Sequence, residues 1–337
     1  MTEIYIISGF LGAGKTTLIR KLLKEAFYGE KVVLLENDFG EVSVDAALLK
    51  SGGIEVKEIN SGCICCSLSG DFVKAVKEIH RQYRPDKIII EPSGVGKLSD
   101  VVRACEDPAI QPLAGVKRKI TVADAARCKS YLDNFGEFFE DQIENADVIV
   151  LSRTEDHPDK TKAAVDLIKG LNPFAAILSN SWDLIGSNEI LLPRHDRPEQ
   201  EAHSHDHVHD QNNGHNHGHD HNSEHGHHDH DHDHDHDHDH DHDHDHSAEE
   251  IFDTVTVRTT RKFTNDELKN LIYRLERELT GTVLRAKGIL HGTNGYLELQ
   301  YLPGDLKIRD CDTEGDMLSF IGKDLNRREL IELLKGA

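Results

Sequence analysis

Aromatic residues are scarce in this chain of 337 residues, basic residues are outnumbered, and no long apolar run occurs. Tryptophan appears once, and aromatics reach only 6% of the sequence against 37% hydrophobic residues overall, which still supplies a core over most of the length. At ~150 residues per domain, the length allows one large or two ordinary domains. No stretch approaches the ~20 apolar residues that cross a bilayer as a helix. The opening MTEIYIISGF lacks a basic lead-in, so no signal peptide is read and the expected compartment is cytoplasmic. Lys and Arg total 39 against 61 Asp and Glu, a formal charge of −22. That excludes non-specific attraction to nucleic acid or to an anionic membrane. Six cysteines in a reducing compartment do not suggest a disulfide framework.

What the chain has in excess is histidine. Of 24, 20 lie between His203 and His246, with 12 Asp, one Glu and no Lys or Arg. This stretch carries −13 of the net −22. From Asp229 to His246 it is a strict Asp-His alternation. Nothing there can bury apolar surface to offset ordering entropy, so residues 196–248 are expected to be a disordered linker. Its imidazoles, including His228, His230, His232, His234, His236 and His238, are metal ligands at neutral pH. Their number raises the effective concentration after a first contact, with little choice among Zn2+, Ni2+, Co2+ and Cu2+. A solubilising spacer is the alternative.

The linker divides the chain into residues 1–195 and 249–337. In the first part, residues 3–8, 31–37, 52–60, 87–94, 119–125 and 146–154 read as strands, and 15–27 and 70–82 as helices. Alternation of this kind predicts an α/β fold, a mostly parallel sheet with helices on both faces. In the second, strands are expected at 251–259, 282–290 and 295–302. Helices are expected at 264–279, with a Thr264/Glu267 capping box, and at 323–335. This is a small α+β domain.

Residues 9–16 read Gly-Phe-Leu-Gly-Ala-Gly-Lys-Thr, the P-loop pattern between a strand and a helix. Gly9, Gly12, Ala13, Gly14, Lys15, Thr16 and Thr17 are the candidate phosphate-binding residues. Backbone N–H groups and the helix N-terminus face the anion, Lys15 reaches the outer phosphates, and Thr16 ligates Mg2+. Glu91 closes the strand KIIIE as the second Mg2+ ligand and, with Lys15, the catalytic candidate. Gly94 can offer its N–H to the γ-phosphate. Guanine recognition usually follows a strand as Asn-Lys-x-Asp. Here Ser152-Arg153-Thr154-Glu155 stands in that place, with Ser152 able to hydrogen-bond, Arg153 to cover the base and Glu155 to accept from it.

Cys63, Cys65 and Cys66 fall within four residues. Thiolates at this density suit Zn2+ or Cu(I). Adjacent Cys65 and Cys66 do not close a tetrahedron cleanly, which points to a site completed from elsewhere; the segment Glu36–Glu41 offers carboxylates. A redox pair or small buried side chains are the other readings. Cys105, Cys128, Cys311, His80, His157, His195 and His291 are isolated and carry no assigned role.

These motifs together, with GFLGAGKTT (9–17), ENDFGEVSVD (36–45), GCICC (62–66), EPSG (91–94), RAKGIL (285–290) and FIGKDL (320–325), resemble the CobW-type metallochaperone family in the G3E group of P-loop GTPases. The resemblance implies a SIMIBI-type GTPase domain followed by a CobW C-terminal domain. It implies binding of GTP and Mg2+, slow hydrolysis to GDP and phosphate, and delivery of a transition metal, zinc first, to a client metalloprotein. It also implies that Glu36 and Glu41 join the cysteines at the metal. Two departures stand out: Asp38 replaces the usual Glu of Asn-Glu-Phe-Gly, and residues 152–155 differ from Asn-Lys-x-Asp. A homo-oligomer is compatible with this reading. Its rivals are a metal buffer built on the His tract and a maturation factor for a cobalt or nickel enzyme.

Overall fold

Strands buried on both faces read as continuous apolar runs, and those runs form the centre of the first sheet. The computed structural model describes residues 1–36, 55–58, 70–192 and 251–335. Its first seven strands are β1 (Thr2–Ser8), β2 (Val32–Glu36), β3 (Glu55–Glu58), β4 (Lys87–Glu91), β5 (Ala114–Asp124), β6 (Val148–Ser152) and β7 (Ala176–Leu178). They pair in parallel in the order β3-β2-β4-β1-β5-β6-β7. Alternate residues feed two cores. Tyr5 and Ile7 pack with Leu18, Ile19 and Leu22 of α1 (Lys15–Glu25). Ile4 and Ile6 pack on the other face with α2 (Gly70–Tyr83), α3 (Leu98–Cys105), α4 (Cys128–Glu144) and α5 (Pro158–Leu171). The short α6 (Ser187–Leu191) returns to the first face through Ile190.

All-parallel pairing has one consequence for function. The loop after β1 and the terminal residues of β2, β4 and β6 collect at a single edge of the sheet, where ligands of such folds bind. Asn172 fixes the approach to β7 from behind. It is 4% exposed; its amide donates to the carbonyls of Ile143, Glu144 and Ala146, and its Oδ1 accepts from the N–H groups of Phe174 and Ala175. Asn172→Ala strands those buried groups and is expected to cost about 2–4 kcal/mol in a urea titration.

The second sheet is antiparallel. Its strands β8 (Asp253–Arg258), β9 (Thr282–Gly292), β10 (Gly295–Leu302), β11 (Asp305–Cys311) and β12 (Met317–Lys323) run in the order β11-β10-β9-β12-β8. One face is covered by α7 (Asn265–Glu278) and α8 (Arg327–Lys335). Thr264 caps α7: its hydroxyl accepts from the Glu267 N–H at 3.2 Å, and the Glu267 carboxylate accepts from the Thr264 N–H at 2.8 Å. The last helix starts at Arg327 and not at residue 323, because β12 runs through Lys323 and Asp324 then turns with φ 56°. The opposite face contributes Leu302 and Ile321, with Phe252 just before β8, to the α2–α5 core of the first sheet. Phe135 and Phe138 of α4 meet the Phe252 ring at 5.6 and 5.2 Å. Both sheets thus belong to one compact unit. Among the described residues no helix is long and apolar enough to cross a membrane.

Candidate functional site

The loop after β1 needs glycine for measurable reasons. Gly9 has φ 141°, and a Cβ there would lie 2.2 Å from the Val122 carbonyl oxygen on β5. The chain therefore passes flush over the neighbouring strand. Gly12 and Gly14 also have positive φ, 66° and 114°. α1 starts at Lys15 with no side-chain cap, so its first N–H groups face the loop. Lys15 is 6% exposed and its Nζ donates to the Gly9 carbonyl at 3.0 Å, curling under its own loop.

Glu91, at the end of β4, is buried, and its Oε1 accepts from the Thr16 hydroxyl at 3.4 Å. Hydroxyl and carboxylate oxygens side by side are the donors Mg2+ takes. Gly94 lies against the loop; a Cβ there would meet the Leu11 N at 2.9 Å. Two α4 side chains hold this contact. Gln142 donates to the Gly96 carbonyl at 2.8 Å and to that of Gly94 at 3.4 Å, and the Tyr131 hydroxyl donates to the Leu11 carbonyl at 3.3 Å. Burial raises the Tyr131 phenol above its ordinary range and pushes the neighbouring Cys128 thiol up to about 12. Neither ionises near neutrality, so both act as packing groups beneath the loop. Glu36, the last residue of β2, is the register partner of Glu91 and is equally buried.

At the end of β6, Ser152 is buried and its hydroxyl has no hydrogen-bond partner among the described residues. Arg153 adopts φ 57°. That turn directs its guanidinium onto Asp124 at the end of β5, onto the Gly12 carbonyl at 3.5 Å and onto Asp305 at 3.3 Å. Glu155 is exposed at the rim. Trp182 donates from its indole nitrogen to the Leu151 carbonyl at 2.6 Å and lies over Gly14.

One cleft of about 580 Å3 unites these groups, within the size range of ligand sites. Gly12, Ala13, Gly14, Lys15, Thr16, Thr17, Glu91, Ser152, Arg153 and Glu155 line it, while Gly9 and Gly94 sit behind it as supports. Asp124, Trp182 and the wall residues on β10–β11 were not singled out from the sequence, and Arg285 on β9 was named only within the segment RAKGIL. The single tryptophan and the acid closing a buried strand were the available signals. Cys63, Cys65, Cys66, Glu41, Asp38 and the tract from His228 to His238 lie outside the described residues. Among the described residues no group of three metal-ligating side chains forms.

Residues 3–179 match the profile of the CobW/HypB/UreG nucleotide-binding domain. The chain belongs to that family. Residues 252–337 match the cobalamin synthesis protein CobW C-terminal domain, the second sheet and its helices. Within the CobW family it is 35% identical over 155 residues to the zinc chaperone YeiR of Escherichia coli, covering 46% of this chain and 47% of that one. It is 36% identical over 178 residues to the zinc chaperone CobW of a Sinorhizobium species, covering 44% and 50%. The chain thus spans about half the length of these curated relatives. The zinc-bound crystal structure of the E. coli YjiA GTPase aligns over 99% of this chain and 98% of that one, at 16% identity and a TM-score of 0.44.

Proposed function

We propose that this member of the CobW family is a GTP-hydrolysing metallochaperone that carries zinc to a client metalloprotein in the cytoplasm under nucleotide control. The observation that carries the reading is the register pairing of Glu36 with Glu91. Glu91 beside Thr16 is the Mg2+ end of a P-loop site. Glu36 opens the segment that holds Glu41, and with Cys63, Cys65 and Cys66 it makes the zinc-ligand set. A carboxylate of each site therefore stands on adjacent strands. The zinc-chaperone names of the relatives point the same way.

In this reading the glycine cradle and Lys15 hold the phosphates, and Ser152 and Glu155 orient the guanine. Mg2+, when bound by Thr16 and Glu91, supplies the charge that stabilises the transferring phosphoryl group. Loss of the γ-phosphate alters the strand ends that carry Glu36 and Glu91, and with them zinc affinity. Such coupling is reciprocal: if GTP tightens zinc, zinc tightens GTP.

The test is GTP hydrolysis by protein lacking residues 203–246, with and without one equivalent of Zn2+, beside the same protein carrying Cys63→Ala, Cys65→Ala and Cys66→Ala. Zinc is expected to change the parent rate several-fold and the triple variant not at all. Zinc affinity should differ about tenfold between GTP and GDP forms, a coupling of ~1.4 kcal/mol. Rates blind to zinc in both proteins, or equal affinities, remove the carrier mechanism.

A further inference from the structure

The cleft has one wall that the P-loop fold does not supply. Along β10, Leu297, Leu299 and Tyr301 point into the core under α7 and α8, so Glu298, Gln300 and Leu302 take the other face. The β11 register sets Arg309, Lys307 and Asp305 directly opposite those three. This face is fastened to the nucleotide loop at one end. A Cβ on Gly12 would meet the Leu302 Cδ1 at 2.3 Å, and Asp305 accepts from Arg153 at 3.3 Å. From that anchor Lys307 and Arg309 on β11, and Arg285 on β9, continue along the cleft wall.

Two features single out the arginines. Glu298 is the register partner of Arg309, yet its Oε1 accepts from Gln300 at 2.5 Å and the two form no ion pair. Lys307 is 3.6 Å from Asp305, whereas Arg285 and Arg309 have no ion-pair partner among the described residues. The charge balance of the cleft is the second feature. On the P-loop side three lining cations face four lining carboxylates, while the C-terminal sheet brings three lining cations against Glu298, with Asp305 engaged by Arg153 and Lys307. In a chain of net charge −22, the second domain supplies half of the cations that line this cleft, and Arg285 and Arg309 are the two of them not engaged by a carboxylate among the described residues.

We propose that Arg285 and Arg309 bind phosphate oxygens of the nucleotide held by the P-loop, so that the site is built by both domains. The proposal rests on the nucleotide reading above. A guanidinium suits this place because its paired N–H donors match a phosphate and its charge is permanent. The competing account is that both arginines are merely solvated.

The experiment titrates the full chain with a fluorescent GDP analogue in Mg2+ and displaces it with GTP and with inorganic pyrophosphate. Arg285→Gln and Arg309→Gln are each expected to weaken all three ligands about tenfold, as loss of a charge-assisted hydrogen bond does. Arg309→Lys should recover part of the loss, which separates charge from misfolding. Affinity of the double glutamine variant should also depend less on salt than that of the wild type. Unchanged affinities in the glutamine variants, with the wild type binding GDP and Lys15→Ala not, overturn the proposal and leave the P-loop reading intact. A wild type that binds neither GDP nor GTP removes that reading, and this one with it.

Discussion

Glu91→Gln is expected to lower GTP hydrolysis by about 100- to 1,000-fold, the scale on which loss of one preorganised electrostatic group is felt. The substitution keeps the shape of the side chain and removes only its charge. Glu91 is buried at the end of β4 with the Thr16 hydroxyl 3.4 Å away, so a neutral amide there still packs. What it loses is the anionic oxygen that a hard divalent cation takes from a P-loop site. Hydrolysis should fall while the fold is kept, because the amide fills the volume of the carboxylate and can still hydrogen-bond to the Thr16 hydroxyl. Thermal melting and single-turnover hydrolysis, measured together, check both halves. A variant that hydrolyses GTP at the wild-type rate would remove Glu91 from the reaction.

Gly9→Ala acts on the fold itself. Two penalties coincide: the backbone sits at φ 141°, and the new methyl would lie 2.2 Å from the Val122 carbonyl oxygen. That oxygen belongs to β5, whose register with β1 runs through Ser8 and Thr121, so it cannot retreat without parting two central strands. Left-handed strain and overpacking together are expected to cost roughly 3–6 kcal/mol, with nucleotide binding lost as well. Gly29 is the internal comparison. It has φ 82° but nothing within 4 Å of its added methyl, so Gly29→Ala carries the strain alone, about 1 kcal/mol. Equal melting curves for the two variants would show that the close approach to Val122 does not matter.

Six of the seven strands of the first sheet were legible because its central strands are buried on both faces and its loop motif has fixed flanks, while β7, three residues long and half-buried at the sheet edge, was not. β1, the loop and α1 follow from residues 2–25 alone, and Thr264 with Glu267 announced α7. The parts that escaped have physical reasons. β11 is an edge strand with exposed or half-buried positions throughout, and in DLKIRDC only Leu306 and Ile308 mark the core side, too short an alternation to stand out. β12 shares its last residue with what reads as a helix start, and only the turn at Asp324 decides the boundary. In the site, the loop, Glu91 and the β6 end were readable as spacings. The role of Asp124 was not, because its contact with Arg153 joins two strand ends 29 residues apart. The wall from β9–β11 was invisible for the same reason: Leu302 reaches Gly12 across 290 positions of chain, and no periodicity records that.

The Phe252 contact bears on how this family is taken apart in the laboratory. The two family profiles suggest a cloning boundary between residues 179 and 252. A fragment ending there would lift Phe252 off Phe135 and Phe138 and take Leu302 away from Gly12, baring an aromatic patch next to the glycine loop. Ligand affinities from such a fragment would describe a cleft with one side missing. The modules are separable as genes and inseparable as reagents.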